Sequence, residues 1–167
     1  MEDVVRLIVG YLHVTAGLLW IGGGLYTILV QSPALMAIPP QARGPALAQI
    51  APRQVFYLLR LGELTIVTGI IRILTSGRGR ELEDLSSRWA LAILVGALLA
   101  VVLLVIGHAV LKPAVTRLLT LGPRAAQGDG SAAAEAGAIV KRLTTIGYVQ
   151  LALGFAIVFG MVLARLS

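Results

Sequence analysis

Two histidines are the only imidazoles in the chain, and both stand inside apolar runs: His13 in the run 4–30 and His108 near the end of the run 89–111. An ionisable group at membrane depth is costly and by default marks a functional site. An imidazole there can ligate a metal or carry a proton. Around His13, Gly10, Gly17 and Gly24 recur at seven-residue intervals, so one helix face beside the ring is stripped of side chains. A flat macrocycle such as haem needs that clearance next to its axial ligand. The same spacing also serves close helix–helix contact, and Gly62 with Gly69 and Gly147 with Gly154 repeat it. Both uses stay open.

His108 follows Gly107 and precedes Lys112 and Pro113. With the first and third helices starting on the same side, His13 lies about nine residues into its run and His108 about nineteen, an offset of roughly 15 Å at ~1.5 Å per residue. Axial ligands of one iron should lie level, so a single haem held by both rings is disfavoured, although helix tilt absorbs several ångströms. Alternatively His108 is an interfacial ring bonded to a loop carbonyl. Near its depth gather Tyr26, Tyr57, Arg60, Glu63, Thr144, Thr145, Tyr148 and Gln150. Arg60 and Glu63, three apart, can pair on one helix face, which lowers the cost of both charges. The group reads either as an ion pair with interfacial tyrosines or as a polar pocket. Such a pocket would suit haem propionates, a quinone or porphyrin head group, or a proton path.

The scaffold for these residues comes from composition. Of 167 residues, 57% are hydrophobic and 13% charged, against about 45–50% and 25% in soluble domains. Four apolar runs, 4–30, 55–76, 89–111 and 142–164, are each long enough to cross ~30 Å of hydrocarbon. They predict one all-α domain over 1–167, an up-down-up-down bundle of four transmembrane helices. The first run has no small-residue cleavage motif and reads as a retained span. Prolines and glycines mark the connections. The stretch 41–53 reads as a short interfacial helix or turn, and the third helix as running past Pro113 toward Leu121. The stretch 128–138 reads as a loop too poor in apolar content to pack. No long internal repeat stands out.

The formal charge of +6 does not point to nucleic acid, because the basic residues flank apolar runs and short loops, where membrane proteins keep Lys and Arg. The 14 basic residues divide six to eight between the two sides, a slight lean toward both termini outside. Absence of cysteine excludes disulfides, thiolate metal sites and covalent haem attachment. No nucleotide-binding loop or Ser-His-acid arrangement occurs, and the three methionines do not cluster as a Cu(I) relay would require.

The stretch 12–35, LHVTAGLLWIGGGLYTILVQSPAL, carries His13, Trp20, Gly22, Gly23, Pro33, Ala34 and Leu35. That pattern, continued through Pro39, Pro40, Arg43, Arg53 and Gly69, resembles the copper-resistance CopD-like membrane proteins over about the first 75 residues. It is also similar to the HemJ-like membrane-bound protoporphyrinogen oxidases, four-helix bundles with haem b. The second resemblance maps haem-site histidines onto His13 and His108. It implies haem binding with electron transfer or another membrane redox reaction, whereas the first implies copper-ion transport. The expectation is therefore a haem b protein with His13 as axial ligand and His108 as second ligand or part of a separate site. Gly10, Gly17, Tyr26, Arg60 and Tyr148 are expected beside the cofactor. A haem-dependent oxidoreductase activity, a copper-transport role and a structural bundle without cofactor stay open. Expected partners are the lipid bilayer, a quinone or a redox protein, with self-association also open, in a prokaryotic plasma membrane.

Overall fold

The computed structural model describes residues 1–166, apart from the side chains of Pro40 and Gln41. Four long helices account for most of it: α1 (Glu2–Ala37), α2 (Pro40–Thr75), α3 (Arg88–Ala126) and α4 (Gly130–Leu166). Each has 36 to 39 residues, roughly 55 Å at ~1.5 Å per residue, well beyond the ~30 Å of a hydrocarbon layer. Cross-helix contacts fix the directions. His13, Trp20 and Gly23 meet Gly69, Gly62 and Leu58 in descending order, so α1 and α2 are antiparallel. By the same logic Gly62 and Gly107 against Leu104 and Leu59 set α3 antiparallel to α2, and Gly147 and Gly154 against Ile28 and Ile21 set α4 antiparallel to α1.

Small residues let these helices close. Alanines at 16, 51, 90, 100, 132 and 164 are buried, while Leu7, Leu18, Phe56, Leu98, Phe159 and many other large apolar side chains face outward. A water-soluble bundle would do the reverse; an outer apolar face over a small-residue interior is what lipid requires. Among the described residues, α1, α3 and α4 are long and apolar enough to cross a membrane, and the chain is an integral membrane protein.

Two helices carry the same irregularity. In α1 the turn Thr27–Gln31 is a π-turn, with the Ser32 N–H bonded to the Thr27 carbonyl. In α3 the turn Gly107–Leu111 is another, with the Lys112 N–H bonded to Gly107. Each lies just before a proline, Pro33 or Pro113, which has no N–H to donate and whose ring collides with the carbonyl four residues back. An inserted residue moves that carbonyl aside and lets the helix continue. The two π-turns are offset by 80 residues, from 27 to 107 and from 33 to 113 at the prolines, so α1 and α3 carry the same local device.

Three sequence expectations need correction. The stretch 41–53 is no separate turn but the opening of α2, which carries Pro45 and Pro52 inside it. Pro33 does not end the first helix, because the π-turn absorbs it. The stretch 128–138 is not an unpacked loop, since all of it from Gly130 onward belongs to α4 and Ala132 is buried. Alanine is the best helix former, and Asp129 supplies the cap by accepting from the Ala132 N–H at 3.0 Å and the Ser131 hydroxyl at 2.6 Å.

The α3–α4 tip is clamped by Arg117 to Glu135, two bonds of 2.7 and 2.9 Å, and by Arg124 to Asp129. The Ser131, Ala132 and Arg124 bonds hold the Asp129 carboxyl well below its usual range, and Arg117 lowers that of Glu135. A carboxyl lowered on folding contributes stability above its unfolded pKa and loses it as pH falls through the folded value. Amide exchange at 127–136 should therefore be constant from pH 7 to about 5, after correction for intrinsic rates, and accelerate only in stronger acid. A protection loss already complete at pH 5 would contradict these assignments.

Candidate functional site

A space of about 930 Å³ lies between all four helices, at the upper end of the ~300–1,000 Å³ usual for small-molecule sites. Both π-turns border it, through Thr27, Ile28 and Gln31 on α1 and Gly107 and Leu111 on α3. Leucine is the commonest wall residue, joined by Ile and Val. Gly24, Gly147 and Gly154 also face it.

A polar cluster interrupts this apolar lining. Gln31 and Gln54 exchange two amide bonds, Nε2 of Gln31 to Oε1 of Gln54 at 2.8 Å and the reverse at 2.9 Å. The second N–H of Gln54 goes to the Thr27 hydroxyl, which itself donates to the Gly23 carbonyl at 2.7 Å. That leaves one N–H of Gln31 and lone pairs on both amide oxygens without a partner among the described residues. Gln150 and Tyr148 also line the space. Two cations complete it: Lys141, and Arg43, whose guanidinium caps the end of α1 by donating to the carbonyls of Met36 and Ile38.

The sequence-derived candidates fall in three places. Tyr148 borders the cavity, whereas Tyr26 is 56% exposed and does not line it. Gly10 and Gly17 are occupied by packing, with a side chain at Gly10 meeting the Arg72 guanidinium at 2.9 Å and one at Gly17 meeting Thr65. His13 packs on Gly69, and its Nδ1 lies 2.9 Å from the Thr65 carbonyl. The ring therefore donates from Nδ1 and presents Nε2 as a free lone pair.

His108 lies in the second π-turn. Its Nε2 donates to Glu63 Oε1 at 3.0 Å, while Glu63 Oε2 accepts from Arg60 at 2.6 Å. One carboxylate thus bridges a guanidinium and an imidazole. The histidines meet α2 at Thr65 and Glu63, two residues and so about 200° apart, which places the rings on opposite flanks of that helix. Substituting Glu63 by Gln should release both partners and lower stability in detergent by about 2 kcal/mol, discounted for partial exposure. Replacing Arg60 and Glu63 together by leucine should cost less. Equal losses in thermal melts of the two variants would contradict the bridge.

A haem needs a ligand and a space together. His13 has the hydrogen bonding of an oriented ligand, because a donated Nδ1–H fixes the tautomer that leaves Nε2 for metal. The space lies elsewhere. Trp20, two helical turns from His13, joins Ile21, Ala100, Leu103 and Ile157 in a packed layer between the histidine and the cavity. Among cavity residues, Met36, Lys141 and Tyr148 carry an atom able to ligate iron, and none of them is a histidine. His13 and the cavity therefore do not fit one haem together. Among the described residues no three His, Cys, Asp or Glu side chains converge as a metal site.

Fold and site together define an all-helical integral membrane protein with an amide-lined interhelical cavity. No family model, curated protein or solved structure matches the chain. Gln31 and Gln54 are the residues that sequence reasoning missed. The available signal was a glutamine two residues before Pro33 and another two after Pro52, each one position outside the apolar run assigned to its helix.

Proposed function

We propose that this protein crosses the membrane with all four helices and binds a lipophilic redox molecule with a carbonyl-bearing ring, of the isoprenoid quinone class, in the cavity between them. The reading rests on one observation: the Gln31–Gln54–Thr27 cluster set into a mainly apolar space of about 930 Å³. A quinone ring supplies carbonyl oxygens that accept from an amide N–H, and its isoprenoid tail needs the leucine walls. The free N–H of Gln31 is the donor for one carbonyl, and Gln150 or Tyr148 serves the other. A quinol formed by reduction donates instead, and the vacant lone pairs of Gln31 and Gln54 accept those bonds. Amides suit both redox forms because each carries donor and acceptor. The corresponding role is electron transfer within the membrane. The test is solvent extraction of protein purified in mild detergent, with chromatography of the extract. A near-stoichiometric quinone is expected; an extract holding only bulk lipid and detergent overturns the proposal.

A second reading, haem b on His13, is favoured by the Nδ1 bond to the Thr65 carbonyl, which leaves Nε2 directed for ligation. It requires the Trp20 layer to open. On this reading the purified protein shows a Soret band and a b-type α-band on reduction. His13→Ala abolishes haem occupancy, and His108→Ala alters the spectrum without emptying the site, because the two rings flank α2 on opposite sides. Loss of all haem in both variants would instead indicate bis-histidine ligation, and a colourless preparation that takes up no haemin removes the reading.

A further inference from the structure

A second, smaller pocket of about 270 Å³ lies on the outer flank of the bundle where α2 meets α3. Its charged lining is Arg60, Glu63, His108 and Lys112, with Thr116 and Phe56 beside them. Glu63 is already committed on both oxygens, to Arg60 and to His108. Arg60 lies over the Phe56 ring at 5.3 Å and uses one terminal nitrogen for Glu63. Its other guanidinium N–H groups, and the whole ammonium of Lys112, have no partner among the described residues. The pocket thus holds two fixed positive charges against one negative.

That excess sits on a face turned toward lipid. Phe56 and Tyr57 are exposed beside it, and Lys112 is the first residue after the apolar run 89–111, at the level where hydrocarbon gives way to head groups. Uncompensated cations at that depth call for a counter-anion, and basic pockets between transmembrane helices recognise lipid phosphates. A phosphate oxygen can accept from Arg60 on one side and Lys112 on the other. The Glu63 carboxylate is itself paired with Arg60 and bonded by His108, and it holds the Arg60 fork in place.

We propose that this pocket is a phosphate site, of the kind that an anionic phospholipid head group fills. It rests on the membrane placement of the bundle and is independent of what the central cavity binds. The test is thermal unfolding of the purified full chain in neutral detergent, with titrated phosphatidylglycerol, phosphatidylcholine or inorganic phosphate. Phosphatidylglycerol is expected to raise the midpoint, and phosphatidylcholine to leave it unchanged. Lys112→Gln, which leaves the Arg60–Glu63–His108 chain intact, should weaken the apparent phosphatidylglycerol affinity by about fivefold and Lys112→Arg should restore it. Removing both Arg60 and Lys112 should weaken it by about thirtyfold. A shift with phosphatidylglycerol alone assigns the phosphate to lipid, and an equal shift with inorganic phosphate supports the same site with a free ion. Equal shifts with both lipids, or a phosphatidylglycerol effect unchanged in Lys112→Gln, overturn the proposal.

Discussion

The Gln31→Leu/Gln54→Leu double variant should bind a short-chain quinone about fivefold more weakly than the native protein while remaining folded. The magnitude comes from the one quinone hydrogen bond that the pair supplies, the free N–H of Gln31, at about 1 kcal/mol. Folding is spared because leucine has a similar volume and both members of the amide pair leave together, so no buried donor or acceptor is orphaned. Thr27 loses one incoming bond but keeps its own to Gly23. The single Gln54→Leu variant should behave differently. It strands the Gln31 amide in a mostly apolar cavity, so stability should fall by about 1–2 kcal/mol together with affinity. Equilibrium binding and thermal melts on the same preparations separate the two effects. A double variant that binds like the native protein would remove the amides from the site.

Gly62→Leu should be among the most damaging substitutions in the bundle, costing about 3 kcal/mol. A Cβ there stands 2.8 Å from Cε2 and Cζ2 of the Trp20 indole and 3.1 Å from Leu104. The indole is rigid and belongs to the layer with Leu103 and Ile157, so it has nowhere to yield without reopening that layer. Gly96→Ala is the control. Its neighbour is the terminal methyl of Met161, a flexible chain that rotates aside, and the loss should stay under about 1 kcal/mol. Similar losses at the two positions, in thermal or denaturant unfolding in detergent, would mean that glycine is not serving close packing at Gly62.

The helices are legible in the sequence because their physics is local and repeated. Runs of twenty or more apolar residues admit few other structures in lipid, and the pairing of Arg60 with Glu63 comes from helical spacing alone. The glycine stripe on α1 is legible as a stripe but not by its use. Gly10 and Gly17 are filled by Arg72 and Thr65, while Gly24 alone opens onto the cavity, and that choice is made by side chains of α2. The cavity is not legible, for a related reason. Pro33 normally stops a helix, so the apolar run ends the first span at residue 30 and leaves Gln31 outside it. The π-turn carries the helix past the proline and Gln31 into the bundle. Gln54 is excluded by the mirror error at the start of α2, where Pro45 and Pro52 read as breakers of a helix that runs through them. His108 shows the same dependence: the inserted residue rotates the downstream helix by about 100°, while Gly107 faces the cavity and His108 turns to Glu63.

Quenching of Trp20 fluorescence tests the central claim most directly, since that indole lines the cavity while Trp89 is buried at the far end of α3 against Ala164 and under the Arg78 guanidinium. A short-chain quinone titrated into the detergent-solubilised protein should quench Trp20 emission saturably, with one site per chain. The quenching should survive Trp89→Phe and shift to about fivefold higher concentration in Gln31→Leu/Gln54→Leu. Linear, non-saturating quenching that is the same in the native protein and the double variant would contradict the account.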